Sequence, residues 1–159
     1  MADDEEQTAL MWAVAGLYPQ VVEALVNHGA HVDARSKLIP EPEPYFINMP
    51  ENETVLGTNY PITIRFIETS GGFTALHFAA RQGAVESAQI LLQAGVDVNS
   101  PHPEHGSPLV IAIASGHEDL ARLLLKNGAD ASIADAWGIP PLHYALHKGV
   151  LFLNNFKPS

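Results

Sequence analysis

Between Gly71 and Asn99 the chain reads GGFTALHFAARQGAVESAQILLQAGVDVN, and its apolar positions fall into two short helical stripes separated by a turn. Leu76, Ala79 and Ala80 recur at the three- and four-residue spacing of one helix face. Thr74 precedes them at the N-cap position, where its hydroxyl can accept from the first-turn amides. The spacing predicts that this helix stops near Gly83. A second helix is expected from about Val85 to Ala94, with Ala88, Leu91 and Leu92 facing inward. Gly95 just beyond it can adopt the left-handed cap conformation, and Val96 to Asn99 reads as a turn back.

The same marks return along the chain. Thr74, Ser107 and Pro140 stand 33 residues apart, as do Gly95 and Gly128. Upstream, Thr8, Ala9, Leu10, Ala13 and Val14 repeat the first-helix pattern. Val21, Val22, Leu25 and Val26 repeat the second, after Pro19 near its start and before Gly29. Downstream, Ser107 is placed to cap a helix carrying Leu109, Ala112 and Ile113. Leu120, Leu123, Leu124 and Leu125 then lead to the helix exit Lys126, Asn127, Gly128. Leu142, His143, Tyr144 and Ala145 fit one more first helix, although Pro140 replaces the capping hydroxyl. After Gly149 the chain continues VLFLNNFKPS, which is too apolar for the polar outer face of a terminal repeat.

A 33-residue period carrying TALHFAA and a Gly-x-Asp-Val-Asn tail resembles the ankyrin repeat, over roughly four fifths of the chain. The resemblance implies an all-α ankyrin-repeat solenoid of about four helix-turn-helix units. The expected division is repeat 1 at 1–38, an insertion at 39–70, repeat 2 at 71–101, repeat 3 at 102–134 and a partial or terminal repeat 4 at 135–159. Met11 and Val110 stand where the family prefers histidine, so a local hydrogen-bonding device is expected to be missing in units one and three.

Gly29 and Gly95 are 66 residues apart, room for a further whole repeat, but Pro40, Pro42, Pro44, Pro50 and Pro61 refuse it. Proline inside a helix costs about 3 kcal/mol. The alternation from Ile62 to Glu68 reads as a strand, so residues 39–70 are expected to form a β-hairpin-like insertion between units one and two. It carries Tyr45, Phe46, Tyr60 and Phe66 among Glu41, Glu43, Glu51, Glu53 and Glu68. It is too apolar for simple disorder, and either engages a partner or docks on the stack.

Charge narrows the partners. The formal net charge is −10, with only 8 Lys and Arg in the chain, which disfavours nucleic acid and anionic membrane surfaces. The acidic run Asp3 to Glu6 reads as a solvated helix cap. No basic, apolar leader opens the chain, so a cytoplasmic location is expected, with a periplasmic or secreted one as the alternative if a leader was removed. The chain has no cysteine, which excludes disulfides, thiolate metal sites and cysteine nucleophiles.

Candidate chemistry is thin. His143 and His147 are four apart on a predicted helix, as zinc ligands often are. His143 nonetheless aligns with His77 in the slot where the resembled family uses histidine to tie neighbouring turns. His102 and His105 flank a predicted turn tip without a third ligand. No nucleophile, base and orienter assemble, and no glycine-rich phosphate loop follows a strand. No catalytic, cofactor or metal residue is assigned, and a metal- or ligand-binding domain is the weakest reading.

The resemblance implies a concave binding face made of turn tips and first helices. It places Phe73, Arg81 and Gln82 of unit two there, with Gly106 and Ser115 of unit three and Trp137, Ile139, His147 and Lys148 of unit four. Tyr45 and Phe46 join them from the insertion. Phe73 and Trp137 stand out as turn aromatics that either face a partner or pack on the neighbouring turn. Trp12, Phe78, Ile111 and Tyr144 share one first-helix slot and are expected in the core. The reading is a non-catalytic protein-binding module, monomeric, for an unidentified protein partner with a basic surface. A self-associating assembly element using the insertion and apolar tail is the alternative.

Overall fold

The computed structural model describes residues 7–37 and 71–146. Three helix pairs follow in order: α1 (Ala9–Ala15) and α2 (Pro19–Asn27), α3 (Ala75–Gln82) and α4 (Val85–Gln93), α5 (Pro108–Ser115) and α6 (Glu118–Lys126). A further helical stretch occupies residues 141–146. No strand forms among the described residues, although His102 and Gly106 make an isolated antiparallel bridge. The chain divides into two compact parts, one containing all these elements and one spanning Leu38–Ser70. The strand expected at 62–68, Tyr45 and Phe46, the acidic run, His147, Lys148 and the apolar tail all lie outside the described residues.

Helix boundaries follow the expected punctuation. Thr74 caps the start of α3 and Gly83, in the left-handed region, its end. Pro19 and Pro108 open α2 and α5, where a missing N–H costs nothing. First helices pack on first helices, α1 on α3 on α5, and second helices on second helices, α2 on α4 on α6. The core is therefore a repeated layer: Leu10, Leu76 and Leu109 hold one position in successive units, Leu91 and Leu124 another, and each is at most 2% exposed. Burying each such leucine contributes about 1.5–3 kcal/mol.

Three expectations change. Met11, expected to leave a bond unmade, places its Sδ 3.5 Å from the Thr8 N–H, while the Thr8 hydroxyl accepts from Met11 N at 3.3 Å. The thioether thus closes a weak version of the box that His77 closes in unit two. Ser107 stands at the start of α5 with extended backbone, yet its hydroxyl is buried without a partner, and the Val110 side chain three residues on has no polar atom to do what the His77 imidazole does. Trp12, expected in the core, is 58% exposed, whereas Ile111 in the same slot is buried and Phe78 and Tyr144 are half-buried.

Among the described residues, Leu17 is the one backbone exception that is not a glycine. It adopts φ 59° where the equivalent positions are Gly83 (φ 71°) and Gly116 (φ 83°). The neighbouring residues differ. At Gly83 a Cβ would lie 2.5 Å from the His117 imidazole, whose Nε2 sits 3.1 Å from the Arg81 carbonyl. The residue corresponding to His117 in the next unit back is Ala84, which carries no ring.

Candidate binding surface at the finger tips

Between each pair of units the chain makes a hairpin finger, and one hydrogen bond recurs at its root. Ser36 N donates to Phe73 O at 2.9 Å, His102 N to Gly106 O at 2.8 Å, and Asp135 N to Ile139 O at 3.2 Å. Ser36, His102 and Asp135 are spaced by two periods and by one. In the second finger only residues 103–105 form the tip, whereas in the first the whole of 37–72 stands in their place.

The three root residues differ in chemistry and act alike. The Ser36 hydroxyl accepts from Phe73 N at 3.2 Å. His102 Nδ1 accepts from the N–H groups of Glu104 and His105 at 3.1 and 3.0 Å. Asp135 Oδ1 accepts from Trp137 and Ile139, both at 2.9 Å. All three are buried, so each satisfies tip amides that would otherwise be left without partners. This recurring polar position was invisible to sequence reading, since serine, histidine and aspartate share no pattern beyond their spacing.

Neighbouring fingers are tied sideways. Arg35 donates to the carbonyls of Gly72 at 3.1 Å and Pro101 at 2.7 Å, and to the Ser100 hydroxyl at 2.8 Å. His102 Nε2 reaches Gly71 O at 2.7 Å, and Ala136 N donates to Glu104 O at 3.0 Å. Lower down, Asp33 accepts from Asp97 N and Asn99 from Asp130 N, again equivalent bonds one unit apart.

His77 anchors the second finger from below. Its Nδ1 accepts from Thr74 N–H at 3.1 Å and lies 2.8 Å from the Thr74 hydroxyl, so its proton resides on Nε2. That atom is buried without a hydrogen-bond partner, while the Ser100 and Gly106 backbone pulls the other way from burial on the ring's pKa. Burial, then the nearby His102 and the Arg35 cation, lowers its pKa to about 3, and the ring is neutral. In the third finger the Tyr144 hydroxyl donates to Asp135 Oδ2 at 2.6 Å, and this bond to a carboxylate raises the phenol to about 12.

The predicted surface residues separate. Phe73, considered as an exposed turn aromatic, is 9% exposed and stacks on His102 and His105, with ring centroids 4.2 and 5.5 Å away. Finger pairing, which draws its backbone against Ser36, turns the side chain under the second tip. Trp137 is 56% exposed at the third tip. Arg81, Gln82 and Ser115 are exposed on first helices, Ile139 is half-buried and Gly106 is buried. His143 is exposed and does not repeat the role of His77. Among the described residues no group of three or more histidine and acidic side chains is arranged to hold a metal ion, and no helix is long and apolar enough to cross a membrane.

Comparison with known proteins agrees with this geometry. The ankyrin repeat model matches residues 5–37 and 71–103, and a model for ankyrin repeats in many copies matches 109–151, together more than half of the chain. The chain belongs to the ankyrin-repeat family. It is 28% identical over 96% of its length to the human transient receptor potential cation channel subfamily A member 1. It is 29% identical over 91% of its length to the mouse B-cell lymphoma 3 protein homolog, and 36% identical over 53% to the Arabidopsis thaliana E3 ubiquitin-protein ligase KEG. The chain spans 16%, 34% and 5% of the lengths of those relatives. Ankyrin repeats generally mediate protein–protein interaction.

Proposed function

We propose that this chain is a non-catalytic protein-binding module that holds a partner protein, one with a basic surface, across its row of finger tips and the concave side of its first helices. The observation that supports the reading is the finger register: Ser36 and Phe73, the ends that bracket residues 37–72, pair as Asp135 and Ile139 do below the exposed Trp137. Arg81, Gln82 and Ser115 extend the surface along the first helices, with Ile139, His147, Lys148, Tyr45 and Phe46 as further contacts. The net charge of −10, to which residues 38–70 contribute five glutamates against one arginine, supports a basic partner. The relatives are named as a channel, a lymphoma protein and a ubiquitin ligase. They share this region rather than one activity, as expected of a recognition surface. The division into units at 1–38, 71–101, 102–134 and 135–159, with 39–70 as the insertion, belongs to the same reading.

A second reading, self-association, is favoured by Tyr18, Leu142 and Leu146, which are 60–66% exposed. One experiment separates the two. Capture from source lysate is compared for the parent chain, a Trp137→Ala variant and a chain whose residues 37–72 are replaced by Pro-Glu-His, the tip of the second finger. Trp137→Ala is expected to unfold within about 0.5 kcal/mol of the parent and to lose the partner. Retention by both folded variants refutes the finger-tip surface. Absence of capture by the parent, together with a concentration-dependent oligomer in sedimentation, favours self-association.

A further inference from the structure

His102 holds three groups at once. Its Nε2–H donates to Gly71 O at 2.7 Å, its Nδ1 accepts two tip amides, and its ring stacks on Phe73. It is 3% exposed. The two N–H groups aimed at Nδ1 leave no place for a proton there, because an imidazolium would set N–H against N–H on that side. In the same tip, Glu104 Oε2 is buried without a hydrogen-bond partner, an acceptor that the neutral ring does not use. The backbone under the ring has unusual freedom: Gly71 and Gly72 lie at φ 126° and 75°, where only glycine is unstrained.

We propose that His102 is a proton-operated pin, which when neutral fastens the Gly71 carbonyl to the second finger and when protonated turns toward the Glu104 carboxylate and releases it. One proton binds at Nδ1, the bonds to the Glu104 and His105 amides break, and the imidazolium gains the unpaired carboxylate oxygen. The groups facing the ring are Arg35 from the first finger, His77 from α3, Glu104 and His105 from its own tip, and Asp135, whose backbone packs on Gly106. Burial, then His105 and Arg35, holds the His102 pKa below the ordinary 6.5, against the opposing pull of the Gly71 carbonyl and Glu104. Release therefore belongs below the ordinary imidazole range rather than at neutrality. Arg35 keeps its grip on Gly72 and Pro101 in either state, so the event is local to the finger root.

The test is an NMR titration of the full chain from about pH 7.5 downward until His102 has taken up its proton, following the His102 ring nitrogens and the exchange protection of the Glu104 and His105 amides, corrected for intrinsic rates. The Leu109 and Leu124 amides report global opening. Expected is a loss of about tenfold in protection at the finger root, with the midpoint of His102 protonation, while the core amides hold. His102→Gln should abolish this local pH dependence, and Glu104→Gln should move the midpoint to lower pH. Protection that stays constant while His102 takes up its proton, or that falls only together with the core, overturns the pin. If His102→Gln does not fold, an unmoved midpoint in Glu104→Gln overturns it.

Discussion

His77 makes acid stability a quantitative test of the buried finger anchor. An imidazole in the unfolded chain titrates near 6.5, whereas the folded ring takes up its proton only at about 3. Because the folded pKa is depressed, its stabilising contribution is full above pH 6.5 and is lost as pH falls toward 3. At 1.36 kcal/mol per unit the total is about 4–5 kcal/mol, of which about 2 kcal/mol is lost between pH 7 and pH 5. That is a large share of the 5–15 kcal/mol that holds a domain together. The assay is urea denaturation followed by helical circular dichroism at pH 7, 6 and 5, for the parent and for His77→Asn. The asparagine oxygen can accept from Thr74 N–H but does not titrate. The variant is expected to be weaker at pH 7 by about 1–3 kcal/mol. Its stability should nevertheless fall between pH 7 and 5 by about 2 kcal/mol less than the parent's. Carboxylates and His102 titrate in both proteins and cancel in that difference. Parallel pH curves would refute a neutral, buried His77.

Two backbone substitutions test the first-helix ends. Leu17→Gly should stabilise by about 0.5–1 kcal/mol, since relief of a left-handed L-residue, about 1–2 kcal/mol, exceeds the entropic cost of glycine; urea midpoints decide it, and a loss would mean that the half-exposed Leu17 side chain packs usefully. Gly83→Ala should destabilise by more than about 1 kcal/mol, since its Cβ meets the His117 ring at φ 71°. Thermal unfolding of Gly83→Ala with His117→Ala should recover part of that loss, and no recovery would place the cost in the backbone alone.

What could be read from the sequence was local. Caps and stripes within about 20 residues, such as Thr74, Gly83 and the Ala88–Leu91 face, fixed the helices because each depends on neighbours along one helix. Trp12 misled because its slot is apolar in every unit, yet Ile111 is buried there, Phe78 and Tyr144 are half-buried and Trp12 is exposed. Phe73 looked free because it opens a unit, yet its ring is captured by histidines from the next finger, contacts about 30 residues away. Met11 was read as a missing donor partner when its sulfur accepts a long bond.

The excursion hid its own register most effectively. Residues 37–72 exceed the three-residue tip by 33, so the period is preserved across them and suggests a lost repeat until the root bonds are aligned. Those bonds also explain why the helical layers tolerate it. Even counted as a structureless loop, lengthening a tip from 3 to 36 residues raises the closure cost by only about 2 kcal/mol, because the cost grows with the logarithm of length. Against it stand five hydrogen bonds at the root, from Ser36, Gly72 and Phe73 backbone amides, Arg35 and His102, each worth about 0.5–1.5 kcal/mol. Closure below the tip leaves the Leu10, Leu76 and Leu109 layer unaware of what the tip carries. A finger tip is therefore the place in this architecture where recognition sequence can be added with least loss of stability, and where Arg35 and His102 have an energetic reason to be what they are.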